Sequence, residues 1–178
     1  MAMPNTNSLI DMLVSIRSPD KELGQHYLHD DEILEKAIEL GAISEGDVVL
    51  EVGSGPGTLT AHLLRTGATV HAIEIDSESC LHLEHVFQTE INEGKLTLTH
   101  GDALEVEWPS QITHVIANIP YQISSPLIEK LLNRHRSGRH IEAIVLLLQD
   151  EFASRLAMMD GPGSHGPLPI TTAFEWEV

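Results

Sequence analysis

Apolar runs of strand length recur along the chain, each closing near a glycine, an acid or an asparagine, and the stretches between them carry apolar residues at helical spacing. The runs are centred on Val49, His71, Leu98, Val115 and Val145 and predict five strands. Helices are expected near residues 58–65, 77–90 and 124–134, and Asp30 or Asp31 can cap an earlier one that runs through Leu40 and ends at Gly41. Alternation of strand and helix predicts an α/β fold with a mostly parallel sheet, helices on both faces and ligands at the carboxyl ends of the strands. Residues 1–20 hold Asn, Ser and Pro around one apolar patch, Leu9 to Ile16, and read as an N-terminal arm, either loose or a short helix. After a fifth strand over 141–148, the pattern predicts a helix over 149–159, a Gly/Pro-rich loop over 161–169 and a short helix over 170–178.

Composition adds limits. At 178 residues and 42% hydrophobic content the chain is expected to form one domain with a true core. It has no run of about 18 apolar residues and no basic segment leading into an apolar one, so neither a membrane span nor a signal peptide is indicated, and a soluble, cytoplasmic, monomeric protein is expected. The single Cys80 excludes an internal disulfide, fits a reducing compartment and reads as a small buried or half-buried side chain. Ten basic residues against 27 acidic ones give a formal net charge of -17, which by itself counts against nucleic acid, because phosphate neutralisation supplies most of that affinity. Arg134, Arg136 and Arg139, with His135 and His140, gather between a helix and the next strand; they could meet phosphate, although a solvated helix end is the stronger reading. Cys80-x-His82-x-x-His85 lacks the further ligand that would complete a zinc spacing, so no metal is expected.

The candidate chemistry sits at the strand ends. Val48-Val49-Leu50 leads into Glu51-Val-Gly53-Ser-Gly55-Pro-Gly57-Thr-Leu-Thr60, where alternate glycines let the backbone turn tightly and approach a ligand. A nucleotide-like group would lie over the following helix N-terminus, and the acidic-x-G-x-G-x-G pattern favours S-adenosylmethionine over nicotinamide or flavin cofactors. Glu74 follows the glycines by roughly 20 residues, the spacing at which an acid holds ribose hydroxyls. Asp102, in Gly101-Asp102-Ala103 after the third strand, can accept from the adenine amine. Asn118-Ile119-Pro120-Tyr121 ends the fourth strand with a side-chain amide oxygen, a backbone carbonyl and an aromatic ring, a set suited to the exocyclic amine of a flat base. Two acceptors on such an amine draw its nitrogen towards tetrahedral geometry and free its lone pair, while Tyr121 stacks on the flipped base.

Leu23-Gly24-Gln25-His26-Tyr27-Leu28, residues 51–60, Glu74, Gly101-Asp102-Ala103 and Asn118-Ile-Pro-Tyr-Gln-Ile-Ser-Ser-Pro-Leu127 together resemble the KsgA family of ribosomal RNA adenine dimethyltransferases, from about Lys21 onward and in the family's order. The run Gln122 to Pro126 is most similar to its archaeal and eukaryotic members. The resemblance implies a Rossmann-like class I methyltransferase fold over residues 21–178, with His26 and Leu28 contacting S-adenosylmethionine, Gly53 at its methionine end, Glu74 on the ribose, Asp102 on the adenine, and Asn118 touching both cofactor and target amine. It also implies small-subunit ribosomal RNA or a pre-ribosomal particle as partner. Two last strands, a loop with a base-sandwiching aromatic and a helical RNA-binding domain belong to the implied protein and are missing here, so the sequence reads as truncated.

The implied reaction is direct displacement: adenine N6, held by Asn118 Oδ1 and the Ile119 carbonyl, attacks the cofactor methyl without a prior general base. Dimethylation is implied by the resemblance alone. Three alternatives share parts of the pattern: a DNA amino-methyltransferase, a non-catalytic assembly or transcription factor on the same fold, and a small-molecule methyltransferase. Intact cofactor motifs weigh against the second, and the Asn-Ile-Pro-Tyr geometry against the third.

Overall fold

The computed structural model describes residues 3–16, 27–119 and 121–156, the side chains of Tyr121 and Arg155 excepted. Its elements are α1 (Thr6–Ile16), α2 (Asp31–Leu40), β1 (Val48–Val52), α3 (Thr58–Arg65), β2 (Thr69–Glu74), α4 (Ser77–Val86), α5 (Gln88–Asn92), β3 (Leu96–His100), β4 (His114–Asn118), α6 (Tyr121–Arg136), β5 (Ala143–Leu147) and α7 (Asp150–Leu156). The strands pair in the order β3-β2-β1-β4-β5, every pairing parallel. The expected α/β architecture is therefore present. The order reverses direction at β1, which opens a crevice at the carboxyl ends of β1 and β4.

Alternate residues of β1 face opposite layers. Val49 joins Leu34, Leu59, Leu63, Leu83 and Phe87 under α2, α3 and α4, whereas Leu50 and Val52 join Trp108, Leu127 and Leu131 on the α6 side. The segment from 3 to 16 is no loose arm. Leu9 and Leu13 of α1 are fully buried, and Leu9 belongs to the first of these clusters. Asp30 caps α2, its carboxylate accepting from Glu32 N at 3.0 Å and Ile33 N at 3.4 Å.

Three boundaries differ from the sequence pattern. The helix expected over 77–90 is interrupted at Phe87 (φ -103°, ψ 25°), which separates α4 from α5 and buries its ring completely. The helix expected from 124 starts at Tyr121, with Pro126 inside it. A proline normally marks a first turn, and its missing N–H here costs one helical hydrogen bond. The strand expected over 141–148 is shorter, Ala143–Leu147. The loop and helix expected over 161–178, and the end of the helix expected to reach 159, lie outside the described residues.

Candidate active site

In-register pairing decides where the ligand-facing residues emerge. Val52 stands opposite Ile73 on β2 and Ala117 on β4, so the residues that follow, Gly53, Glu74 and Asn118, leave the sheet side by side at its carboxyl edge. With Asp102 beyond β3 and Leu28 ahead of α2, they line one cleft of about 510 Å³. That volume suits a cofactor-sized ligand.

Gly53 and Gly55 take φ values of 76° and 50°, which side chains rarely adopt, and they turn the backbone under the cleft. The Gly53 N–H donates to Ile73 O at 2.8 Å and the Gly55 N–H to Glu74 Oε2 at 2.8 Å. Gly57 serves packing instead. A Cβ there would lie 2.5 Å from the Phe87 ring and 2.8 Å from Leu83. From α4, His82 braces the loop, its Nε2 lying 3.1 Å from Pro56 O. A carbonyl only accepts, so that nitrogen carries the hydrogen, and burial holds the imidazole pKa below its ordinary value.

Glu74 is 4% exposed, and both of its oxygens are engaged: Oε2 by Gly55 and Oε1 by the Asp76 N–H at 2.9 Å. Burial raises its pKa, and these two amides oppose the shift. Each oxygen keeps a second lone pair, so the carboxylate that pins the glycine loop can also accept ligand hydroxyls. The Gly101 N–H donates to Glu74 O at 2.9 Å, tying the ends of β2 and β3 together. Asp102 Oδ1 accepts from the Leu104 N–H at 2.8 Å, and its backbone carbonyl accepts from Glu105 and Val106 at 2.9 Å each. Ile33 and Ile75, 42% and 51% exposed, supply an apolar wall suited to a flat ring. Bare backbone at a turn, a buried acid, a second acid and an apolar wall together fit the ribose and adenine of S-adenosylmethionine.

Asn118 is half-buried at the last position of β4, and Ile119 is buried beside it. Tyr121 opens α6, two residues after Ile119. Its side chain, and all of His26, lie outside the described residues. Of the amino-terminal segment, Tyr27 and Leu28 line the cleft, the Tyr27 ring lying 3.5 Å from where a Cβ on Gly55 would stand.

The sequence pattern placed Glu51 only as the acid of the glycine motif. It is fully buried, and burial pushes its pKa to about 7 against the Thr60 hydroxyl, which donates to Oε2 at 2.7 Å. The Ser54 hydroxyl also opposes the shift, and among the described residues Glu51 Oε1 makes no hydrogen bond of normal geometry. The only local sign was an acid inside an apolar strand; its burial comes from α3 packing over it, which the sequence pattern does not show. Arg134 requires a correction. It is 8% exposed and donates to Pro109 O at 2.7 Å and Ser110 O at 3.1 Å, so it is neither phosphate-facing nor solvated. Because α6 starts at the carboxyl edge of the sheet and runs back, Arg136 and Arg139 lie at the edge opposite the cleft. Cys80 is buried with its thiol 3.5 Å from Glu74 O, and burial pushes its pKa up to about 12. Among the described residues no three His, Cys, Asp or Glu side chains gather as a metal site.

A parallel sheet in this order, with a glycine turn after its first strand and an acid closing its second, is the fold of class I S-adenosylmethionine-dependent methyltransferases. An RNA methyltransferase from Salinibacter ruber, solved in complex with S-adenosyl-L-homocysteine, shares the fold at a TM-score of 0.53 and 24% identity, over 58% of this chain and 68% of that one. A dimethyladenosine transferase from Plasmodium falciparum is more similar, with a TM-score of 0.71 and 37% identity over 83% of this chain and 52% of that one. The chain belongs to the ribosomal RNA adenine dimethylase family, whose pattern matches residues 17–178. The ribosomal RNA small subunit methyltransferase A of Prochlorococcus marinus (strain MIT 9211) is 39% identical over 166 residues, 89% of this chain and 58% of that protein, and archaeal relatives match at similar identity. The chain spans about half the length of the curated relatives it matches.

Proposed function

We propose that this chain forms the cofactor-binding and amine-activating part of an S-adenosylmethionine-dependent methyltransferase that dimethylates N6 of adenines in small-subunit ribosomal RNA during ribosome assembly. Residues 21–178 would be the methyltransferase unit and the cytoplasmic pre-ribosomal particle its partner, bound by a monomer. The family supports the substrate class, and among the described residues no helix is long and apolar enough to cross a membrane. The observation that carries the reading is the emergence of Gly53, Glu74 and Asn118 from adjacent strands into one cleft.

In this reading Glu74 accepts from the ribose hydroxyls, Asp102 from the adenine amine, Gly53 lies under the methionine end, and His26 and Leu28 close over the cofactor. When bound, S-adenosylmethionine supplies a methyl carbon made electrophilic by its sulfonium charge. Asn118 Oδ1 and the Ile119 carbonyl accept the two hydrogens of the target N6, holding the nitrogen in line and freeing its lone pair, while Tyr121 stacks on the base. No side chain need remove a proton beforehand, because the proton becomes acidic only once the new bond has formed.

Asn118→Ala separates this role from cofactor binding. Single-turnover methyl transfer to immature small-subunit RNA should fall by about 10²- to 10³-fold, the usual effect of deleting one preorganised polar group, with affinity for S-adenosylhomocysteine kept within about threefold. Transfer at the parent rate would remove Asn118 from the chemistry, and methylation of duplex DNA in preference to that RNA would replace the substrate.

A further inference from the structure

The 101–113 connection from β3 to β4 contains no helix, so its carbonyls need donors from elsewhere. Lys130 of α6 supplies three. Its Nζ lies 2.9 Å from Ala103 O, 2.9 Å from Leu104 O and 2.8 Å from Val106 O, so every hydrogen of the ammonium goes to a single turn. The Trp108 indole donates to the same Ala103 carbonyl at 2.9 Å, and the ammonium stands 4.8 Å from that ring's centroid. Arg134, one helical turn further on, secures the far end of the connection at Pro109 and Ser110.

The turn that Lys130 grips begins at Asp102, which lines the cleft, and the helix that carries Lys130 begins at Tyr121, two residues after Ile119. One side chain therefore joins the two halves of the site. We propose that Lys130 is a positioning residue that fixes the Asp102 turn to α6, setting the Asp102 carboxylate for adenine recognition in register with the amine acceptors at the end of β4. The inference rests on the cofactor reading above. Lysine suits the task because a point charge with three rotatable donors can serve three converging carbonyls, which a planar guanidinium cannot. The nearby Asp102 and Glu105 carboxylates support the charged form, against burial, which lowers the pKa.

Calorimetric titration of the full chain with S-adenosylhomocysteine and with S-inosylhomocysteine, which lacks the adenine amine, tests the proposal. The parent should prefer the adenine ligand by at least about tenfold, since a mismatched acceptor leaves a polar group unpaired. In Lys130→Met the preference should fall to that of Asp102→Ala, and adding Lys130→Met to Asp102→Ala should change it by less than about twofold. Arg134→Met, the control, should lower the melting temperature and leave the preference intact. Equal weakening of both ligands by Lys130→Met, or additive effects in the double variant, would overturn the proposal by assigning Lys130 a purely structural role. Should Lys130→Met lack a cooperative melt, Lys130→Gln is read by the same ratio, and an unchanged ratio there overturns it equally. A parent chain that melts cooperatively yet binds neither ligand strikes instead at the cofactor reading.

Discussion

Glu51 shows how far a side chain can depart from its ordinary chemistry when the strand around it is dry. It is completely buried, and its pKa is pushed from 4.5 to about 7. The folded state then holds a proton between about pH 4.5 and pH 7 that the unfolded chain has released. Stability attributable to this group is therefore fully present below the unfolded value and lost as pH rises through the folded one, by on the order of 3 kcal/mol. Glu51→Gln should be about as stable as the parent at pH 5 and more stable at pH 8, by about 1–3 kcal/mol in urea unfolding. Parallel pH curves for the two proteins would show that Glu51 ionises normally. Burial acts in the same direction on Cys80, whose thiol, pushed up to about 12, is no nucleophile at neutral pH.

Among the elements, the glycine turn and α4 behave as one unit, because Gly57 leaves no room between them. Its φ of 85° excludes most side chains, and an added methyl would meet Phe87 at 2.5 Å. Gly57→Ala should cost about 2–4 kcal/mol, the sum of left-handed strain and overpacking, whereas Gly94→Ala, with φ 72° and open space around it, should cost only about 1–2 kcal/mol. Equal losses in chemical denaturation would mean that the loop rides free of α4. The strands were legible because each is a short apolar run with a breaker at its end, and so were Gly53, Glu74, Asp102 and Asn118, which occupy those ends. The start of α6 was not, because Pro126 imitates a first-turn proline. Nor was the part played by Lys130, Arg134 or His82: each gives its hydrogens to backbone carbonyls more than twenty residues away, a contact that leaves no local pattern. Glu51 looked like one more motif acid, since burial is decided by α3 packing over it.

For the whole molecule, parallel register converts four separate strand ends into one site, and α1 adds its Leu9 and Leu13 to the core that supports it. The charge of -17 is the opposing feature, since self-repulsion loosens a compact acidic chain. Raising sodium chloride from about 0.05 to about 0.5 M should raise the melting temperature by at least about 2 °C through screening. A flat or falling response would mean that acids and bases are balanced locally. The distribution of charge also matters: Arg136 and Arg139 lie across the sheet from the cleft, so reversing both should leave affinity for S-adenosylhomocysteine within about twofold, away from the site's field. One ligand spanning Gly53, Glu74 and Asp102 is what the proposed function requires of the cleft. Equilibrium titration of the folded chain with S-adenosylhomocysteine, alongside Glu74→Gln and Asp102→Ala, measures this directly. The predicted result is saturable binding at one site, weakened at least about tenfold by either substitution; no saturable binding by a cooperatively melting chain, or variants that bind as the parent does, would contradict it.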